Sequence, residues 1–316
     1  MKPINSVDAP LISIAMCTYN GERYLREQLD SLITQDYPNL EIQIVDDCST
    51  DATFQILTEY SAKYPQVLIH QNERNLGFRR NFEKALSLCS GEYISLCDQD
   101  DIWFPQKVSA LYNAIGDNQL AYAEVQLIDD DGTELDKGFP PVNVLDDPSH
   151  MSLLLTNCVT GHACLIRRSL LEKALPIPDD VKMHDHWLAF VAASTGGIKL
   201  LHEKLSFYRQ HVSNAVLHTS KRKRFDNAKR RFSMYQERIG FVNAVSAADW
   251  LPSDDRKLIC ELREALLKYP FCFRNRKLHK MLLENSDLLL AIYKDPGKGL
   301  QKLTRGYLYD LFFSIS

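Results

Sequence analysis

Several features are missing from this 316-residue chain, and each absence removes a class of protein. No apolar run approaches the roughly 18 residues that a membrane-spanning helix needs. The N-terminus, Met1-Lys2-Pro3-Ile4-Asn5, carries no signal-peptide core, because the apolar stretch from Leu11 to Met16 is short and runs into polar residues. The eight cysteines form no Cys-x-x-Cys pair and no metal-finger spacing. Cys17, Cys89, Cys97 and Cys164 lie in apolar runs, where a free thiol packs as a small hydrophobe. That usage suits a reducing compartment better than a disulfide framework. There is no internal repeat and no low-complexity tract. A formal net charge of −4 gives no global pull toward nucleic acid. What remains is an enzyme-sized, cytosolic globular chain with ordinary hydrophobic and charged content.

The first hundred residues alternate strand and helix patterns. Leu11 to Cys17, Leu40 to Val45, Val67 to His70 and Glu92 to Cys97 read as buried strands. Between them, Asn20 is a candidate N-cap for a helix carrying Leu25, Leu29 and Leu32 on one face. Ser49 or Thr50 is a candidate cap for a helix carrying Phe54, Leu57, Ser61 and Tyr64, and Phe78 to Cys89 is a third helix. This order predicts an α/β fold with a mostly parallel sheet covered by helices. Leu120 to Ile128 and Gly161 to Arg167 are further strand candidates. The acidic Asp129-Asp130-Asp131-Gly132 is an ordinary hairpin signal and is assigned no metal. The proline-rich stretch from Phe139 to Pro148 reads as a loop, His184 to Ser194 as a helix, and Ile198 to Leu201 and Leu205 to Tyr208 as two short strands. From residue 220 the character changes to long helical patterns. The expected organisation is therefore residues 1–219, split near 118, followed by a helical region over 220–316.

In parallel sheets ligands bind beyond the carboxyl ends of the strands. Tyr19-Asn20, Asp46-Asp47, Asn72 to Gly77 and Asp98 to Asp101 all fall at such ends, so four polar clusters should meet on one edge. The segment Cys97-Asp98-Gln99-Asp100-Asp101-Ile102-Trp103 places three carboxylates within four residues. A cation would neutralise them, and Mg²⁺ or Mn²⁺ takes oxygen ligands of this kind, Mg²⁺ commonly together with substrate phosphates. The alternative is an acidic, solvated turn.

Four segments, Met16-Cys17-Thr18-Tyr19-Asn20-Gly21, Val45-Asp46-Asp47-Cys48-Ser49-Thr50-Asp51, Asn75-Leu76-Gly77 and Asp98-Gln99-Asp100-Asp101, resemble the ordered motifs of glycosyltransferase family 2. The resemblance spans roughly residues 10–215. It implies a GT-A fold and inverting, sugar-nucleotide-dependent transfer. The Asp-Gln-Asp-Asp-Ile-Trp form, with Tyr208-Arg209-Gln210-His211 later, is similar to bacterial rhamnosyltransferase-like members that build cell-surface polysaccharides. Carried over by position, the resemblance implies that Thr18, Tyr19 and Asn20 line the nucleotide pocket with Glu22 nearby. Asp47 would face the base, and Asn75, Gly77 and Arg79 would lie along the nucleotide and sugar. Asp98 would sit near the ribose and support the metal, Asp100 would ligate Mg²⁺ or Mn²⁺, and His211 would contact the diphosphate. Asp185, in Met183-His184-Asp185-His186-Trp187, would be the catalytic base. The family's usual Glu-Asp is His-Asp in this chain.

The chemistry fits those roles. Departure of a nucleoside diphosphate needs a cation, and the acceptor hydroxyl needs a general base on the opposite face. Implied partners are a dTDP- or UDP-sugar donor and a glycan or lipid-linked acceptor. Other readings stand beside these. Asp185 could cap a helix, and His211 could close a strand. Trp103 and Trp187 could be core or sugar-stacking residues. His184 and His186 lack the spacing of a helical zinc pair. The run from Lys221 to Arg231 has seven basic residues against Asp226. It could be a solvated helix face or a peripheral contact with anionic membrane; nucleic acid is disfavoured because stacking aromatics are not interleaved. A sugar-nucleotide-binding or scaffolding protein without transfer activity is the alternative to an enzyme.

Overall fold

The computed structural model describes residues 9–136, 138–140, 142–211, 224–268 and 275–304, with backbone only for 224–231, 268 and 302. Eight strands form one sheet: β1 (Ile12–Thr18), β2 (Leu40–Asp46), β3 (Val67–Gln71), β4 (Tyr93–Cys97), β5 (Ile102–Trp103), β6 (Leu120–Ile128), β7 (Cys164–Arg167) and β8 (Ile198–Arg209). The helices are α1 (Leu25–Ile33), α2 (Thr53–Lys63), α3 (Phe78–Leu88), α4 (Lys107–Ile115), α5 (Leu171–Ala174), α6 (His184–Thr195), α7 (Arg224–Ser246), α8 (Ser253–Lys268), α9 (Arg276–Glu284), α10 (Ser286–Leu289) and α11 (Pro296–Thr304). The strand order is β3-β2-β1-β4-β7-β6-β8-β5. β1, β2, β3 and β4 pair in parallel, as the helix crossovers between them require. β7 runs antiparallel to both β4 and β6.

All seven residues of β1 are buried, the pattern of a parallel strand covered on both faces. Alternation along it feeds two cores. Ile12, Ile14 and Met16 join Leu25, Leu29, Ile56 and Val108 on one face. Ala15 and Cys17 join Phe82, Leu86 and Phe190 on the other. The second core continues without a break into Phe241, Val242, Ile259, Leu262, Leu278 and Leu282, so the C-terminal helices share it with α6 and the sheet. The change of character expected at residue 220 lies in an undescribed stretch.

The chain runs from β1 outward to β3, then returns to place β4 on the other side of β1. That reversal opens a crevice beyond the carboxyl ends of β1 and β4, the usual ligand position in such sheets. Thr18-Tyr19-Asn20 and Asp98 to Asp101 both border it.

Local expectations fail in three places, each for a tertiary reason, and the two tryptophans take the core reading. Asn20 does not cap α1, whose first turn begins after Tyr24. Its φ of +47° is the left-handed conformation that Asn tolerates, and its Oδ1 accepts the Thr50 N–H at 2.8 Å, stitching two loops together. Neither Ser49 nor Thr50 caps α2. Ala52 holds that position, while Ser49 hydrogen-bonds to Asp46. The two strands expected around His202-Glu203 are one 12-residue strand. Pairing with β6 continues through register shifts, which leave the polar residues His202, Glu203 and Lys204 exposed. Trp103 and Trp187 are core residues at 2% exposure, so neither is available to stack on a sugar. The Asp129 turn is the expected hairpin, closed by Asp129 N–H to Thr133 O at 2.9 Å and Gly132 at φ +87°. The seven described cysteines are free thiols.

Candidate active site

The floor of the crevice is built from backbone-held carboxylates. Asp46 accepts from Thr18 Oγ1 (2.9 Å), the Ser49 N–H (3.0 Å) and Gln71 Nε2 (3.1 Å). Asp47 is buried, and both its oxygens are engaged. Oδ1 accepts from Asn72 Nδ2 (2.8 Å) and the Leu76 N–H (2.7 Å), and Oδ2 accepts the Gly77 N–H (2.8 Å). Asp47 thus fixes the Asn75-Leu76-Gly77 loop. Asn75 reinforces the loop through its contacts with Asp47 O and the Gly77 N–H. Tyr19 is exposed, and Glu22 is turned to the Ala52 N–H at 2.8 Å.

Arg79 does not reach along the crevice. Its guanidinium donates to Ile177 O (3.2 Å) and Pro178 O (2.8 Å) and pairs with Asp179 (3.1 Å). Arg80 grips the same Asp179. On the other side Asn243 Nδ2 donates to Asp180 Oδ2 at 2.7 Å. The segment leading into α6 is therefore clamped between α3 and α7.

The acidic loop divides into an exposed and a buried half. Asp101 is fully buried, accepts the Arg209 N–H at 3.1 Å and faces His162 Nδ1 at 3.0 Å. Burial chiefly, with Asp100 and Asp98 adding, pushes its carboxyl up to about 7, against the pull of His162. Asp98 Oδ2 lies 3.5 Å from the same His162 Nδ1. Burial would raise the Asp98 pKa, but the hydrogen bond and charge of His162, then His184 and Lys107, outweigh it and leave it lowered. Because the Asp98 side chain is 44% exposed, the His162 contact is the stronger of these influences. Lys107 lies entirely beneath the loop. Its Nζ donates to His162 O at 2.6 Å and sits 3.5 Å from the Trp103 ring centre, and burial pulls its pKa down to about 7.

Asp100 turns the other way. Its Oδ2 meets His211 Nε2 at 2.7 Å, and Arg209 Nε donates to its backbone carbonyl at 3.0 Å. Arg209 also pairs with Glu27 at 2.6 Å, so a buried guanidinium ties the loop to α1.

Opposite these groups, Asp185 occupies the first turn of α6. It is not the cap, which is Met183. Its Oδ1 accepts the His186 N–H at 2.7 Å. Burial first, then the charge of Asp98, raises its pKa above the ordinary carboxylate value, against the pull of His184. Gly161 packs directly against it; a methyl there would lie 3.0 Å from Asp185 Cβ. His184 is buried and stacked on Phe82 at 4.0 Å, and burial lowers its pKa against the pull of Asp185 and Asp98.

Two donor sets could hold a metal. Asp98, Asp101 and His162 bring their ligand atoms within 4.8 Å of one another. Asp100 and His211 form a second carboxylate–imidazole pair beside them. Hard carboxylate oxygens with an imidazole nitrogen suit Mg²⁺ or Mn²⁺ better than a thiolate-seeking metal. The structure sets Asp98 beside His162 and within charge reach of Asp185, and pairs Asp100 with His211; sequence reasoning had singled out Asp98, Asp100, Asp185 and His211. It missed Asp101, His162, Lys107 and Gly161. The only sequence signal for Asp101 was its place in the acidic run; His162 and Lys107 had none.

The model of glycosyl transferase family 2 matches residues 13–175, and the chain belongs to that family. The uncharacterized protein Rv1520 of Mycobacterium tuberculosis is 35% identical over 214 residues, 64% of this chain and 59% of that one. An uncharacterized glycosyltransferase of Nostoc, alr2836, is 29% identical over 212 residues, covering 64% and 66%. The chain thus spans about 59% of the length of the first of these relatives. Among solved structures, residues 1–349 of Staphylococcus aureus TarS in complex with UDP superpose with a TM-score of 0.58 at 20% identity, covering 79% of this chain and 69% of that one. The Pyrobaculum calidifontis mannosyltransferase PcManGT, in complex with GDP-Man and Mn²⁺, has a TM-score of 0.56 at 16% identity, covering 97% and 86%. These likenesses establish the GT-A fold. No helix among the described residues is long and apolar enough to cross a membrane.

Proposed function

We propose that this chain is an inverting, metal-dependent glycosyltransferase that moves a sugar from a nucleoside diphosphate sugar to a hydroxyl of a glycan or lipid-linked acceptor. One observation carries the reading: the Asp98–Asp101 loop and the raised-pKa carboxyl of Asp185 border the same crevice at the sheet's switch point. Family membership and the nucleotide-bound fold neighbours support it.

Thr18, Tyr19, Asn20, Glu22, Asn75 and Gly77 border the nucleotide, with Asp47 fixing the loop beside the base. Asp100 and His211, assisted by Asp98, would hold Mg²⁺ or Mn²⁺, which would supply positive charge opposite the diphosphate leaving group. Asp101 and Lys107 lock His162, which positions Asp98. Asp185 takes the proton of the attacking hydroxyl, and its raised pKa strengthens it as a base near neutral pH. The rhamnosyltransferase-like motif form suggests a dTDP- or UDP-linked deoxysugar and a role in cell-surface polysaccharide synthesis. That part rests on analogy with relatives. The basic run from Lys221 to Arg231, whose side chains lie outside the described residues, would hold the enzyme against anionic lipid. Unchanged flotation with anionic and neutral liposomes at low salt would remove that contact.

The deciding experiment incubates the protein with a panel of nucleotide sugars and Mg²⁺ or Mn²⁺ and measures release of nucleoside diphosphate. Metal-dependent hydrolysis of one donor is expected. Tight binding of a nucleotide sugar, with neither hydrolysis nor transfer, would point instead to a binding or scaffolding protein.

A further inference from the structure

Helix α3 carries an apolar stripe that is longer than the core it serves. Phe82, Ala85 and Leu86 are buried, yet Phe78, one turn earlier on the same stripe, is 45% exposed. Leu76 beside it is 38% exposed. An isolated exposed apolar residue needs no explanation, but these two are held out rigidly. Asp47 fixes the Leu76 and Gly77 N–H groups, Gly77 takes φ +80°, and Arg79 is tied to the 177–179 segment. The backbone on both sides of Phe78 is therefore fixed. The inner neighbour of the Phe78 ring is His184, with ring centres 6.1 Å apart, and His184 in turn stacks on Phe82. Asp185 follows His184 in the chain, and both approach Gly161. Phe78 thus ends an aromatic row that runs through His184, the residue before Asp185, to Phe82.

We propose that Phe78, flanked by Leu76, is the platform on which the acceptor's pyranose ring stacks. This rests on the glycosyltransferase reading. A pyranose presents one face of C–H groups, which packs against the electron-rich face of a phenyl ring, while its hydroxyls stay at the rim. A sugar lying on Phe78 would present a hydroxyl toward Asp185. Trp103 and Trp187 cannot serve this purpose, because both are buried. Tyr19, the other exposed aromatic bordering the crevice, leaves the first strand's end and is tied to the acidic loop, on the nucleotide side.

The test uses saturation-transfer NMR with methyl pyranosides of glucose, galactose, mannose and rhamnose, in the presence of UDP and Mn²⁺. Wild-type protein should saturate the ring C–H protons of at least one pyranoside. Phe78→Ala should weaken that binding about tenfold, and Phe78→Trp should retain it. Matched thermal unfolding of the three proteins controls for folding. Wild-type protein that saturates no pyranoside, or undiminished binding by Phe78→Ala, would overturn the proposal. Nucleotide-sugar hydrolysis, measured separately, keeps the two readings apart. Hydrolysis without Phe78-dependent pyranoside binding sinks the platform and leaves the transferase. Phe78-dependent binding with neither hydrolysis nor transfer would remove the transferase and with it the acceptor role, leaving Phe78 as a sugar contact only.

Discussion

The side-chain amide of Gln99 pairs with both backbone groups of Tyr19: Oε1 accepts the Tyr19 N–H at 2.8 Å, and Nε2 donates to Tyr19 O at 3.1 Å. The central residue of the acidic loop is thereby docked onto the loop leaving β1. Gly21 makes room for it, since a Cβ at that position would lie 2.3 Å from Gln99 Oε1. Gln99→Ala removes two hydrogen bonds, each worth about 1 kcal/mol. Nucleoside diphosphate affinity should fall roughly tenfold or more. Calorimetry on the variant checks this, and unchanged affinity would mean the two loops are positioned independently.

On the proposed reading Asp100 and His211, paired at 2.7 Å, would hold the metal. Asp100→Asn should keep the fold but weaken nucleoside diphosphate binding in Mn²⁺ while changing metal-free binding little. Titrations with and without metal separate the two. Wild-type affinity in Mn²⁺ would shift the metal to Asp98, Asp101 and His162.

Asp185→Asn keeps size but cannot accept a proton. Transfer should fall by about 10²–10⁴-fold, the usual contribution of a general base, with donor affinity nearly unchanged. Loss of both together would indicate a structural role instead.

The pH dependence has a fixed sign. As a general base Asp185 would work deprotonated, and its folded pKa is raised above the ordinary value of 3.8. The rate should fall as pH drops through that raised value, so the acid limb should lie above the range of a free carboxylate. By linkage, a raised acid pKa favours the folded state most at pH below the unfolded value, and that contribution disappears as pH rises through the folded one. Removing Asp185 should therefore abolish the acid limb in the residual rate and flatten this part of the stability profile. A limb that persists unchanged in Asp185→Asn would assign it to another group.

Gly161→Ala places a methyl 3.0 Å from Asp185 Cβ. A displaced base can cost on the order of 10²-fold when the shift reaches about 1 Å. A fall in kcat with donor KM unchanged is expected. Equal loss in both parameters would mean that the methyl disturbs the β7 region as a whole rather than the base.

Arg79 was expected along the nucleotide and instead clamps the segment entering α6. Arg79→Gln should lower kcat, through a looser Asp185, more than it raises donor KM. The reverse pattern in steady-state kinetics would restore Arg79 to the nucleotide pocket.

The sequence by itself determined what short-range pattern controls. Seven consecutive buried residues in β1, the spacing of Leu25, Leu29 and Leu32 in α1, and the acidic run after β4 are all local signals. They were enough for the alternating order, the edge on which polar clusters meet, and the family resemblance. Its misreadings came from the same locality. Asn20 looks like a helix cap because its neighbours look helical, whereas its carboxamide serves a loop 30 residues away. Tertiary structure alone decided how the acidic run divides. His162 reaches Asp101 from 61 positions along the chain, and Lys107 is buried beneath both. Charges placed that far apart in sequence interact only after β4, β7 and β8 have paired around them. Burial then sets their pKa values and leaves Asp98 and Asp100 facing the crevice while Asp101 becomes part of its foundation.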